Sequence, residues 1–157
     1  MTHLNDMINN ENQMINVKIV APDKEGLPDY QTAGASGMDV KAFLEKPIQI
    51  PSLGRVAVPT GLRMAIPPGF EMQVRPRSGL AKNHGITVLN SPGTIDSDYR
   101  GELLVLLVNL SAQEYVLNPG ERIAQLVLAK CERVLWNVAF ELEETERGEG
   151  GFGSTGI

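Results

Sequence analysis

The chain has 157 residues, 42% of them apolar and 21% charged, with a formal net charge of −5. That length suits one domain with a real core, and the acidic balance argues against a general nucleic-acid or membrane-surface binder, which would present a basic face. The longest apolar run, Leu103–Val108, has six residues, far short of the ~18 that a membrane span needs. No basic stretch leads into an apolar one at the start, so no secretory leader is expected. The single Cys131 can form neither an internal disulfide nor a Cys-rich metal site. A soluble protein of the reducing cytoplasm is the expectation.

Residues 1–15 are polar, Asn-rich and without a sustained period, and read as a disordered lead. From Val17 onward short apolar runs alternate with turn chemistry. They are Val17–Val20, Met38–Ala42, Ile48–Ile50, Arg55–Val58, Leu62–Ile66, Phe70–Val74, Ile86–Leu89, Leu103–Leu110, Tyr115–Leu117, Arg122–Ala129 and Val134–Val138. Gly and Pro make up 26 of the 157 residues and cluster between these runs, so an all-β sandwich or barrel over 16–146 is predicted. Only the neighbourhood of Ser78–Asn83 leaves room for one helical turn. Cys131–Glu146 looks like a strand followed by an acidic linker. Cys131 and Trp136 read as core or interface residues, and His84 as a turn residue.

Leu103–Val108 does not alternate, so both its faces ask for cover. Either a partner subunit or a long loop must supply the second cover, and an oligomer is the preferred expectation. The segment 147–157 has five glycines and one aromatic residue, Phe152. It cannot build a core and is expected to be a flexible tail.

Some chemical signals dissolve on inspection. Gly148 to Gly153 fits the dinucleotide G-x-G-x-x-G by letter, but that fingerprint needs a following helix and an acid about 20 residues on, and only four residues remain. No phosphate-loop lysine motif, HExxH or Cys/His cluster is present. Three features survive. Arg75-Pro76-Arg77-Ser78-Gly79 places guanidinium, hydroxyl and backbone donors where a phosphate oxygen could take them. Gly93-Thr-Ile-Asp96-Ser-Asp98-Tyr99-Arg-Gly101-Glu102 lies between Ile86–Leu89 and Leu103–Asn109, which read as hairpin arms. Unpaired backbone groups there could read a planar base edge, with Asp96 as a general base and Tyr99 as a flat wall; turn formation is the plain alternative for the Asp pair. In the tail, Arg147 could pair with phosphate, Phe152 could stack, and Ser154 and Thr155 offer hydroxyls. Stacking is worth ~1–3 kcal/mol per base, whereas ordering ten residues costs on the order of 10–20 kcal/mol, so charged phosphate contacts would have to help.

Taken in order, Ala33-Gly-Ala-Ser-Gly-Met-Asp39-Val, Pro76-Arg-Ser-Gly-Leu-Ala81, Gly93-Thr-Ile-Asp-Ser-Asp-Tyr-Arg-Gly-Glu102, Gly120-Glu-Arg-Ile-Ala-Gln125-Leu and Arg147-Gly-Glu-Gly-Gly-Phe-Gly-Ser-Thr-Gly156 resemble the five motifs of the trimeric deoxyuridine triphosphatase (dUTPase) family. Met38 stands where Leu is commoner, a conservative swap. The resemblance implies a distorted jelly-roll-like subunit, a homotrimer with active sites shared between subunits, and Mg²⁺-dependent hydrolysis of dUTP to dUMP and pyrophosphate. Such an activity keeps uracil out of DNA and supplies dUMP for dTMP synthesis. Carried over by position, Asp96 would activate the water that attacks the α-phosphate and hold the ribose 3′-hydroxyl. Tyr99 would pack under deoxyribose, and backbone around Asn90, Gly93, Thr94, Ile95 and Leu104 would read uracil. Arg77, Ser78 and Gly79 would hold phosphates from a neighbouring subunit, and Gln125 would meet the α-phosphate region. Asp39 would touch Mg²⁺ through metal-bound water only, with no direct protein ligand. Arg147, Phe152, Gly153, Ser154 and Thr155 would close as a lid. Two rivals share this fold. A dCTP deaminase-like enzyme would want a proton-shuttling Glu where Leu106 stands, and a non-catalytic nucleotide-sensing or partner-binding module could dispense with Asp96, Tyr99 and the tail.

Overall fold

The computed structural model describes residues 14–153, so the disordered lead expected over 1–15 lies, save its last two residues, outside the described residues. Among the described residues eleven short strands carry the fold. In chain order they are β1 (Lys18–Val20), β2 (Met38–Lys41), β3 (Ile48–Ile50), β4 (Arg55–Pro59), β5 (Arg63–Ala65), β6 (Phe70–Arg75), β7 (Ile86–Val88), β8 (Gly93–Ile95), β9 (Leu104–Asn109), β10 (Tyr115–Leu117) and β11 (Arg122–Lys130). One helix, α1 (Ser78–His84), interrupts them between β6 and β7 and buries none of its residues. All strand pairings are antiparallel, as the all-β expectation requires.

Two sheets enclose the core. One runs β2-β11-β6-β8 and the other β4-β9-β7, with β1-β5 and β10-β3 as two-stranded ribbons beside them. Side chains alternate across each strand, so Val40, Met72, Val74 and Leu126 face inward from the first sheet, and Val58, Val105, Leu107, Ile86 and Val88 from the second. Asn109, a fully buried polar residue, ties loops to that core. Its Nδ2 donates to the carbonyls of Ile50 (2.9 Å) and Gln113 (2.7 Å), while its Oδ1 accepts from the Ser111 amide (2.9 Å) and hydroxyl (2.8 Å). Every polar atom of the side chain is thereby satisfied.

Four expectations need correction or refinement. The helical turn is longer than anticipated: it runs through His84, which is its last residue, before a left-handed Gly85. Residues 93–95, read as loop, form β8. The segment Val134–Val138, read as a strand, pairs with nothing among the described residues and lies open to solvent; Trp136 is 84% exposed and so not in the core. In β9 the two-faced run is resolved as predicted in part: Val105 and Leu107 are buried, whereas Leu104 and Leu106 remain 46% and 37% exposed. Among the described residues nothing covers that face fully.

Candidate active site

The outer face of the four-stranded sheet gathers polar residues because β6 and β11 alternate in step. Register places Asp39 of β2 opposite Gln125 of β11, and Gln125 opposite Arg75 of β6. A bulge between Arg122 and Ala124 adds the half-turn that brings Arg122 to this face as well. Asp39, with its side chain 14% exposed, becomes the hub. Its Oδ1 accepts from Arg77 Nε at 3.0 Å, and its Oδ2 from Arg122 Nη1 at 3.0 Å and from Arg77 Nη2 at 3.4 Å. The Arg122 carbonyl takes a further bond from Arg77 Nη1 at 3.2 Å. A carboxylate offers about four lone-pair positions, so three guanidinium bonds leave one for a water. Gln125 is pinned beside them: its Nε2 donates to the Pro76 carbonyl at 2.9 Å. Gly37 makes room for it, since a Cβ there would lie 3.1 Å from Gln125 Cδ and closer still to Oε1.

The second group is the hairpin. Arms β7 and β9 pair as expected, from Ile86 opposite Asn109 to Val88 opposite Leu107, and the Leu89 amide extends the ladder to the Leu106 carbonyl at 2.8 Å. The intervening loop crosses to the other sheet, where β8 pairs with β6 and forms that sheet's edge. The far edge of Gly93–Ile95, and the edge of Leu104 turned away from β4, therefore lie outside the ladders, on the stretch expected to read a base. Gly93 is buried against Val74 and the Asn90 side chain. Asp96 and Asp98 are exposed at the loop tip. Tyr99 folds back over Gly101 and donates its hydroxyl to the Glu102 carbonyl at 3.0 Å. The loop base is anchored by the Gly61 amide on Glu102 Oε1 (2.8 Å) and by Thr60 Oγ1 on the Leu103 carbonyl (2.7 Å). Half-buried Cys131 feels desolvation first, and also the negative charge of Glu71 and Asp96, which push its thiol up despite an opposing Arg133.

A cleft lined by Gln73, Arg75, Pro76, Ser78, Ser91, Pro92 and Gln125 joins the first group to the start of the hairpin loop. Gly79 follows in α1, exposed. The structure does not bring Asp96 and Tyr99 into this cleft, nor the tail. Arg147 turns back on its own segment, donating to the Gly150 carbonyl at 2.8 Å, and Phe152 and Gly153 are exposed. Ser154 and Thr155 lie outside the described residues. The sequence reading missed Arg122, Glu102 and Thr60. Arg122 stands inside a quoted motif three residues before Gln125, but the bulge that aims it has no signature in the letters.

Fold and site together define a class: an antiparallel all-β domain with a guanidinium-lined cleft beside an open-edged hairpin. The dUTPase family model matches residues 23–156. The deoxyuridine 5′-triphosphate nucleotidohydrolase of Fusobacterium nucleatum is 56% identical over 142 residues, 90% of this chain and 97% of that protein. That of Cytophaga hutchinsonii is 53% identical, covering 95% and 97%. Among solved structures, the dUTPase of Streptococcus mutans aligns with a TM-score of 0.69 at 28% identity, over 78% of this chain and 100% of that one. The dUTPase of Staphylococcus bacteriophage 80alpha aligns with a TM-score of 0.81 at 21% identity, over 92% and 100%, and shares the fold. The chain belongs to the dUTPase family.

Proposed function

We propose that the protein hydrolyses dUTP to dUMP and pyrophosphate as a homotrimer. The observation that carries this reading is the coincidence of two half-sites on one chain: a guanidinium-lined cleft around Ser78 and Gln125, and a separate hairpin offering free backbone edge, Asp96 and Tyr99. The cleft lining does not include Asp96 or Tyr99, and in this reading neighbouring copies complete the site. Leu104 and Leu106, and the apolar side chains of Leu135, Trp136, Val138 and Phe140 along the exposed arm, supply the surface that such an assembly would cover.

In this mechanism the hairpin backbone holds uracil, where a thymine 5-methyl would clash and cytosine would present the wrong donors. Tyr99 packs under deoxyribose and leaves no space for a 2′-hydroxyl. Asp96 orients the attacking water at the α-phosphate and takes its proton. Arg77, Ser78, Gly79 and Gln125 hold the phosphates, and Arg147, Phe152, Gly153, Ser154 and Thr155 close over the ligand and exclude bulk water. Such chemistry asks the protein for positioning and charge neutralisation more than for covalent work.

Mg²⁺ fits this donor set as an ion that arrives on the triphosphate. Among the described residues no three His, Cys, Asp or Glu side chains cluster as a metal cage, and Mg²⁺ characteristically keeps several waters and binds through substrate phosphates. Asp39, with one lone-pair position left beside its two arginines, suits a metal-bound water. When bound, the ion would neutralise charge on the phosphates.

The test is Asp96→Asn. It keeps size and hydrogen bonding but removes the base, and general-base catalysis is worth roughly 10²–10⁴-fold. The variant should bind dUTP as the parent does and lose turnover by about that factor. Full turnover in Asp96→Asn would sink the assignment.

A further inference from the structure

We infer that Arg75 is a second oligophosphate-binding cation of the cleft, held in readiness by a side-chain relay along β6; the inference rests on the reading of the protein as a dUTP hydrolase. The relay follows from the period of the strand. Glu71, Gln73 and Arg75 occupy alternate positions of β6 and face outward, while Met72 and Val74 face the core. Glu71 Oε1 accepts from Gln73 Nε2 at 2.6 Å, which fixes the amide so that its oxygen points the other way. That oxygen takes two bonds from one guanidinium, Arg75 Nε at 3.0 Å and Arg75 Nη2 at 2.6 Å.

The two arginines that flank Pro76 are therefore in opposite states. Arg77 spends three N–H groups on Asp39 and the Arg122 carbonyl, and a carboxylate balances its charge. Arg75 spends two of five donors on a neutral amide, and among the described residues no carboxylate oxygen lies within 4.0 Å of its guanidinium. Its remaining donors, all of Nη1 included, belong to an exposed group that lines the same cleft as Ser78 and Gln125. A long exposed arginine with no ligand would ordinarily sample many rotamers. Here a neutral acceptor holds it without cancelling its charge. A chain of phosphates is the ligand that such an arrangement fits, because phosphate takes planar guanidinium donors in pairs and rewards uncompensated charge.

The experiment compares the parent with Arg75→Gln, Arg75→Lys and Gln73→Leu in two readouts: calorimetric binding of magnesium tripolyphosphate, and steady-state dUTP hydrolysis at low and high salt. Arg75→Gln should weaken tripolyphosphate binding and raise KM about tenfold, leave kcat within about threefold, and flatten the salt dependence of KM. Arg75→Lys should recover part of the loss as a point charge. Gln73→Leu, which keeps the charge but frees the side chain, should fall between Arg75→Gln and the parent. Tripolyphosphate binding and salt dependence in Arg75→Gln equal to the parent's would overturn the proposal, and so would a parent that binds no tripolyphosphate. A parent that binds tripolyphosphate without hydrolysing dUTP would remove the enzymatic reading instead, and the binding comparison would still decide the role of Arg75.

Discussion

Gly101→Ala is a one-carbon probe of the sugar wall. A Cβ at Gly101 would fall against the Tyr99 hydroxyl, 2.5 Å from Cζ and 2.9 Å from Cε2. Carbon atoms settle at about 3.5–4.0 Å, so the ring must retreat by roughly 1 Å at Cζ. The retreat breaks the 3.0 Å bond from the Tyr99 hydroxyl to the Glu102 carbonyl, at about 0.5–1.5 kcal/mol net, and a displaced rotamer adds a similar cost. Tyr99 is already 44% exposed and is no part of the core, so the fold should lose only ~1–2 kcal/mol and Tm only a few degrees. The functional effect should be larger. If the ring closes the space beside the ribose 2′ position, its retreat opens that space, and the ratio of kcat/KM for dUTP over UTP should fall at least about tenfold, or 1.4 kcal/mol. The assay is pyrophosphate release from each nucleotide with Mg²⁺, beside a thermal melt. Tyr99→Phe is the companion, since it keeps the ring and loses only the hydroxyl, and it should discriminate nearly as well as the parent. An unchanged ratio in Gly101→Ala would refute the account of sugar selection.

Further outcomes follow from other contacts. Asn109→Ala takes a side-chain donor from the Ile50 and Gln113 carbonyls, leaving the latter its bond from the Ser111 hydroxyl, and takes the acceptor from the Ser111 amide, and urea unfolding should show a loss of about 3 kcal/mol or more. Burial, and then the hydrogen bond to Glu121 and its charge, push the Tyr115 phenol up from its ordinary 10.0 to about 12. The native state therefore holds this proton more tightly than the unfolded chain. Stability from it is complete below pH 10 and is lost as pH rises from 10 towards 12; Tyr115→Phe should abolish that part of the slope in denaturant midpoints taken across the range. Removing residues 147–157 should leave the melting temperature unchanged and cut kcat/KM for dUTP by on the order of 10²-fold, and an active truncated enzyme would exclude the lid.

Much of the architecture is legible in the letters because its strands are short, apolar and punctuated by Gly and Pro. The misses have physical reasons. Gly93–Ile95 offers three residues and a glycine, too little for a pattern, and becomes β8 only because β6 lies beside it. Val134–Val138 carries the apolar content of a strand, but such content records that a surface needs cover and not which molecule provides it. At the site, the motifs named Asp39, Arg77 and Gln125, and register brings the three together. The roles of Thr60 and Glu102 were invisible because each acts on backbone some 40 residues away. The division of labour between Arg75 and Arg77 was hidden for a different reason: it depends on which acceptor each one finds.

The bulge in β11 makes the site a matter of parity. Ile123 and Ala124 are consecutive and both buried, something a regular strand with its period of two cannot do. Beyond them Gln125 faces out and Leu126 faces in; before them Arg122 faces out. Were β11 regular over this stretch with the same residues, Ile123 would face out, Arg122 would swing toward the apolar interior and Asp39 would be left to Arg77 alone. Chemically milder changes at either buried position would keep the count and with it the arrangement. At this point of the chain, then, the extra residue of the bulge, and not the identity of either buried side chain, aims the second arginine at Asp39.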